Sequence, residues 1–233
     1  MDILSRLKGS LAQAVVKAAF SHWNYRVVPF GVEETLREVT SLDLEQYRKL
    51  KLPVTLRSAP DFIVASLDMS FAHLVEVKFR SKWSDVVRKN CRHELQRQVK
   101  HWGPITVVFV FRNFHDAGPC VKCLSLDIHK IEGNRENHLE VVTANNGTKD
   151  WNEVTKADFR DLSEVFPSIA TNTSEFRSAL ASLVSVNEVL AQEGAQTNPR
   201  VLEKEVSTGG NCNQFQIRHA QRFRPRFPRQ NNL

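Results

Sequence analysis

The run "ITVVFVFRN", residues 105–113, constrains the fold more than any other stretch of this chain. Its β-branched and aromatic residues do not alternate with polar ones, the pattern of a strand buried on both faces. Such a strand needs a layer above it and a layer below, so helices must cover a sheet. The segment before it supplies one of them. "SDVVRKNCRHELQRQVKHW" (84–102) places Val87, Cys91, Leu95 and Val99 at helical spacing, with Ser84 able to cap the start and Gly103-Pro104 ending it.

Other elements follow from the same periodicities. Leu4, Leu7, Leu11, Val15, Ala18 and Ala19 predict a helix over 3–22, and "YRVVPFGV" (25–32) a short strand. "EETLREVTSLDLEQYRKLK" (33–51) reads as a helix, acidic at its start and closed by Pro53. "FIVA" and "LVEV" predict neighbouring strands joined through "MSFAH". Weaker strands are expected at 121–131 and 138–144, a short helix at 156–167 and a longer one at 174–192. The fold class is therefore α/β, one domain with a mixed central β-sheet flanked by helices. Residues 1–113 form its core, 114–192 complete the sheet and helices, and 193–233 form a disordered basic tail of Gly, Asn, Gln, Pro and Arg.

At 233 residues the chain is long enough for a real core, and no apolar run approaches the roughly 18 residues of a membrane helix. The N-terminal segment is interrupted by Asp2, Arg6 and Lys8, unlike a secretory signal. The four cysteines are scattered, which suits a reducing compartment, so an intracellular, soluble, cytoplasmic protein is expected. Cys120-x-x-Cys123 lacks two further ligands at a familiar spacing and is read as a reduced pair rather than a zinc site. Gly-rich phosphate loops and a Gly-x-Ser-x-Gly elbow are both absent, so nucleotide hydrolysis and esterase chemistry lack support.

Charge is concentrated in two places. Five arginines and no acidic residue follow Glu205, so residues 206–233 carry +5 of the net +6. Residues 80–100 hold seven basic residues against Asp85 and Glu94. Two basic concentrations on a balanced body point to a polyanion, nucleic acid first. Lys82, Arg88, Lys89, Arg92 and Arg97 of the helix are its expected contacts. So are Arg222, Arg224 and Arg226, which are interleaved with Phe223 and Phe227.

The hairpin within "SAPDFIVASLDMSFAHLVEVKFRSK" (58–82) raises the sharpest question. Charges inside a strand of Val and Phe are costly unless they serve something. Strand alternation puts Glu76 and Lys78 on one face and Val75, Val77 and Phe79 on the other. If the two strands pair, Asp61 approaches Glu76. Two carboxylates beside one ammonium on rigid strands suit a hard divalent cation, with room left for water and a substrate phosphate.

Pro60-Asp61 followed by Glu76-Val77-Lys78 resembles the PD-(D/E)XK nuclease superfamily, with its restriction-endonuclease-like core. "KGSLAQAVV" (8–16) is similar to the opening helix of archaeal Holliday-junction resolvases in that superfamily, and Gln98 to Trp102 resembles the Gln-x-x-x-Tyr of helicase-linked members. The resemblance spans roughly residues 3 to 113. It implies that Asp61, Glu76 and the Val77 carbonyl bind Mg²⁺ or Mn²⁺, that Lys78 activates or positions water, and that Gln98 supports the site. The implied reaction is hydrolysis of a phosphodiester, in DNA rather than RNA, leaving a 5′-phosphate and a 3′-hydroxyl. Cutting both strands of a duplex with one site per chain would favour a homodimer.

Two departures stand out. Gln13 occupies the position where relatives often carry a glutamate, so Glu33 or Glu34 is expected to supply a further carboxylate. Trp102 replaces the expected tyrosine. The competing expectation is a catalytically weak or inactive nuclease-fold module that binds nucleic acid, or a protein partner through its C-terminal region.

Overall fold

The computed structural model describes residues 3–32, 36, 42, 44–114, 118–129, 138–143, 147–170 and 173–196. All of these belong to one compact unit, 1–198. The elements are α1 (Ile3–His22), β1 (Arg26–Pro29), α2 (Leu44–Lys49), α3 (Val54–Arg57), β2 (Phe62–Ala65), β3 (Ala72–Arg80) and α4 (Asp85–Trp102). They continue with β4 (Ile105–Phe111), β5 (Cys120–His129), β6 (His138–Val142), β7 (Thr148–Asp150), α5 (Leu162–Val165) and α6 (Ser174–Gln196).

Seven strands form one sheet in chain order, β1 to β7. Every neighbouring pair is antiparallel except β3–β4, which is parallel because α4 carries the chain back between them. β4 is buried along its whole length, as its unbroken apolar pattern requires. Val108 and Val110, with Val75 and Val77 of β3, face Ala12, Val16 and Phe20 of α1 and Phe176, Leu180 and Leu183 of α6. Val107, Phe109 and Phe111 face the other way, onto Cys91, Leu95 and Val99 of α4 and onto Trp83, Trp151 and Phe159. The α4 stripe packs as its spacing predicts, and the Ser84 hydroxyl accepts from Val87 N–H at 3.3 Å to cap it.

Several expectations need correction. Of the 33–51 helix the described residues show a turn at its start, with Leu36 N–H on the Val32 carbonyl at 2.8 Å, and α2 near its end, which stops at Lys49; Lys51 turns the chain out with φ 49°. The rest of 33–43, with residues 36 and 42 excepted, lies outside the described residues. Pro53 both closes this segment and starts α3, since a proline tolerates a helix's first turn, where its missing N–H is not needed. The β2–β3 connection is Ser66–Phe71, not 69–73, because Asp68 and Ser66 bond Ser70 and Phe71 into a turn before β3 begins. The 156–167 helix is two pieces, a 3-10 turn Lys156–Asp158 and α5, with Phe159–Arg160 extended between them. The cause is a ladder position left open on β5: β6 ends with Val142 opposite Ser125, and Arg160 exchanges backbone bonds with Cys123 at 2.9 and 3.0 Å. α6 continues through Gly194 to Gln196, so the first residues assigned to the tail are helical; residues 197–233 lie outside the described residues.

Candidate active site

Five elements, α1, β1, β2, β3 and α4, meet at the open end of the β2–β3 hairpin. β2 pairs with β3 from Phe62 opposite Val75, and one step earlier Asp61 leaves the ladder. Its carboxylate takes over the backbone's role there: Oδ2 accepts from Val77 N–H at 2.7 Å. Oδ1 accepts from the Gln13 side-chain amide of α1, also at 2.7 Å. The Asp61 carbonyl in turn accepts from Phe30 N–H and Gly31 N–H, tying the exit of β1 to the same point.

On β3, Glu76 and Lys78 share the α4 face, as alternation requires, while Val75 and Val77 enter the opposite core. Glu76 is buried, and its two oxygens are held separately: Oε1 by Lys78 Nζ, Oε2 by Gln98 Nε2 at 2.8 Å. Lys78 Nζ also donates to Glu94 Oε1 at 2.9 Å. Glu94 and Gln98 stand one helical turn apart on α4, so a single helix face reads both charges of β3.

Burial, and then the nearby Glu76 charge, hold the Asp61 carboxyl well above the usual carboxylate range, against the opposing pull of Lys78 and the Val77 N–H. Burial alone would push the Lys78 ammonium down. Glu76, Glu94 and Asp61 outweigh it and keep the side chain charged beyond an ordinary lysine. Burial would raise Glu94, yet Lys78, Arg80 and Arg97 carry it below its ordinary value. Asp61 and Lys78 are only partly covered, so solvent reaches the cluster from one side.

Among the described residues no group of three or more His, Cys, Asp or Glu side chains is arranged to hold a metal ion. A magnesium site asks for less: one or two carboxylates, with water and substrate oxygen completing the shell. Asp61 and Glu76 meet that requirement, and their mutual repulsion is what a cation would relieve. Gln98 Oε1, buried with no hydrogen-bond partner among the described residues, leaves an acceptor that a water in the cluster would satisfy. The donor set fits Mg²⁺ or Mn²⁺.

Asp61, Glu76, Val77, Lys78 and Gln98 are thus brought together. Glu33 and Glu34 lie outside the described residues, as do Arg222, Arg224 and Arg226. Gln13, noted in the sequence only as a departure, is a direct partner of Asp61. Glu94 was visible in the sequence as one acid among basic residues; the signal that places it is its four-residue spacing from Gln98. Trp102 caps the other side of α4, edge-on to Phe30 at 4.8 Å, with its indole N–H on the Thr55 carbonyl at 3.1 Å.

The basic residues of the α4 region separate. Arg88 turns inward, donating to the Val154 carbonyl at 2.9 Å and pairing with Asp85. Lys89 is exposed and Arg92 half-buried. Lys82 borders a shallow cavity of about 270 Å³ at the ends of β3 and β4, with Arg112 and Lys156. Arg97 borders another on α4. Cys120 and Cys123, three residues apart on β5, lie on opposite faces of the sheet and do not converge on one point. Compared with protein-family models, with curated proteins and with solved structures, the chain finds no match.

Proposed function

We propose that this chain is a metal-dependent nuclease of the PD-(D/E)XK kind, hydrolysing phosphodiester bonds in DNA. The observation that carries the reading is the convergence of Asp61, Glu76 and Lys78, from two strands, with Gln13 and Gln98 from the helices on either side. The order α1, antiparallel β1–β2–β3, α4, parallel β4 supports a restriction-endonuclease-like core, since it puts the hairpin and the following helix where the resemblance needs them. The preference for DNA over RNA rests on analogy. Among the described residues three cysteines are free, and no helix is long and apolar enough to cross a membrane.

Asp61, Glu76 and the Val77 carbonyl would hold Mg²⁺ or Mn²⁺, which when bound supplies charge neutralisation at a phosphoryl oxygen and a lower pKa for water. Gln13 fixes the Asp61 carboxylate by its amide, and Gln98 does the same for Glu76. Lys78, held protonated by three carboxylates, acts as a donor and not as a base: its N–H groups orient water and offset charge on the phosphate. Glu94 anchors that ammonium from α4. A water oxygen bonds to phosphorus as the P–O3′ bond breaks; the proton that this water gives up to solvent is balanced by one that solvent gives to the departing 3′ oxygen. The products are a 5′-phosphate and a 3′-hydroxyl.

A second reading is favoured by one feature of the same cluster. Both oxygens of Asp61 and both of Glu76 already have protein donors, so the network could also be a closed polar core in an inactive module that binds nucleic acid or a protein partner. Metal dependence separates the two. A labelled panel of duplex, single-stranded, flapped and four-way-junction DNA, with RNA alongside, is incubated with Mg²⁺, Mn²⁺ or chelator. Metal-dependent cutting that Lys78→Ala reduces by at least a hundredfold supports the nuclease; binding without cutting, indifferent to metal and to Lys78→Ala, supports the module.

A further inference from the structure

The C-terminal half of α4 carries a second feature. His93, Gln96, Arg97, Lys100 and His101 recur every three or four residues, and together with Val54 of α3 they line an open groove of about 330 Å³. The wall is built, not incidental. Trp102 ties α3 to α4 through its bond to the Thr55 carbonyl, and this holds Val54, 43% exposed, across from the basic row. Arg97 Nε is shut off from solvent and has no hydrogen-bond partner among the described residues. That atom is not reachable from the open groove, which Arg97 lines through the exposed part of its side chain instead. Arg97 also stands one turn from Glu94, close enough for its charge to act on that carboxylate, so the groove begins where the Asp61–Glu76–Lys78 cluster ends.

We propose that this groove is a backbone-phosphate subsite, holding the sugar-phosphate chain of a DNA strand beside the cleavage centre. Arg97 and Lys100 meet the phosphate, and Val54 packs on the sugar. The chemistry matches: a fork of N–H donors and an ammonium suit phosphate oxygens, while an aliphatic wall suits deoxyribose. Arg88, bonded to Val154 and Asp85, plays no part in it. The contact carries no base identity, so it positions a strand and does not select a sequence. The proposal rests on the nucleic-acid reading of the neighbouring site, but not on that site's being catalytically competent.

The test is fluorescence anisotropy of the full chain on a labelled 20-base-pair duplex, in chelator, across a salt series. Arg97→Gln and Lys100→Gln are compared with Arg177→Gln, a charge-matched control exposed on α6. Lys100 is itself exposed, so its variant keeps the test sound if Arg97→Gln folds poorly. Each groove variant is expected to weaken binding about five- to tenfold and to lower the salt slope by about one, the signature of a lost phosphate contact, with the control unchanged. Equal affinity and slope for both groove variants and wild type overturns the proposal, as does a wild-type chain that does not bind the duplex, or tighter binding to RNA or to a phosphorylated peptide that leaves DNA affinity untouched by the substitutions. Cleavage run in parallel keeps the two readings apart. Cutting with groove variants that bind normally sinks the subsite alone; binding that depends on Arg97 and Lys100 without any cutting sinks the nuclease alone.

Discussion

β3 and β4 lie side by side and parallel, and both pass through the buried centre of the sheet, yet they are built on opposite terms. β4 is Ile-Thr-Val-Val-Phe-Val-Phe and buried throughout. At the matching depth β3 sets Glu76 beside Val107 and Lys78 beside Phe109, on the face that packs against α4. β4 has a strand on each side along its length, whereas β3 loses β2 beyond Val75 and gives Val77 N–H to the Asp61 carboxylate instead. The contrast therefore lies in the side chains and in that open edge. On β4 apolar area removed from water is the stabilising term. On β3 a charge pair is desolvated, and such a pair is seldom a net gain over apolar side chains of the same size. A fold that only needed stability would have continued the pattern of β4.

The largest effect should come from breaking the dry strand. Phe109 is fully buried, stacks on Phe111 at 5.6 Å and meets Trp83 and Phe159 edge-on. Phe109→Ala is expected to cost about 3–5 kcal/mol in urea unfolding, from lost transfer energy and the cavity left behind. A loss under 1 kcal/mol would mean that this face of β4 is not the core described.

The charged strand should respond differently to one substitution than to two. Lys78→Ala strands Glu76 and Asp61 without their counter-charge and is expected to cost about 3 kcal/mol. Glu76→Leu combined with Lys78→Met should recover most of that loss, or exceed wild-type stability, while abolishing any cleavage. Stability and activity would then move in opposite directions in one variant. A double variant as unstable as the single would place the pair among the structural supports and weaken the case for function.

That contrast also explains how much was legible beforehand. β4 and α4 followed from periodicity alone, because a side chain's burial there depends only on its own strand or helix. Asp61, Glu76 and Lys78 were readable as a misfit in a strand pattern. Glu94 showed only as an acid four residues before Gln98, since its role exists only once β3 and α4 are packed and the helix turns residues 94 and 98 toward β3. The break at Phe159–Arg160 was hidden for a like reason: the open ladder position on Cys123 belongs to the sheet, and helical propensity over 156–167 cannot see it. Local pattern reveals what local contacts decide.

A third test asks whether the dry side of the sheet refuses charge as firmly as β3 holds it. Cys123, on β5 beside Val108, has its thiol pushed up to about 12 by burial, with nearby Arg160 too weak an offset. The folded state therefore keeps the proton over a range where the unfolded chain, with an ordinary thiol near 9, gives it up. By linkage the native state binds more protons there, so stability is present below about pH 9 and lost as pH rises toward 12. Relative to a Cys123→Ala variant, wild-type stability should fall by about 1.4 kcal/mol per pH unit above 9. Parallel curves for the two proteins would show that the thiol ionises freely.

The smallest effect belongs to a control for the β3 pair. Lys49 and Glu45 of α2 form the same ion pair at 2.9 Å, but their side chains are 72% and 78% exposed, against 13% and 6% for Lys78 and Glu76. In water the pair gains little Coulomb energy, fixes two long side chains and is screened by salt. Lys49→Ala should therefore change stability by only a few tenths of a kcal/mol, and 0.5 M salt should erase the difference. The Lys78→Ala penalty should fade far less in the same salt, because most of the pair's surface is withdrawn from bulk solvent between β3 and α4. If both penalties faded together, the Glu76–Lys78 pair would be as well hydrated as the one on α2, and burial could no longer be the reason that its two charges need a function to explain them.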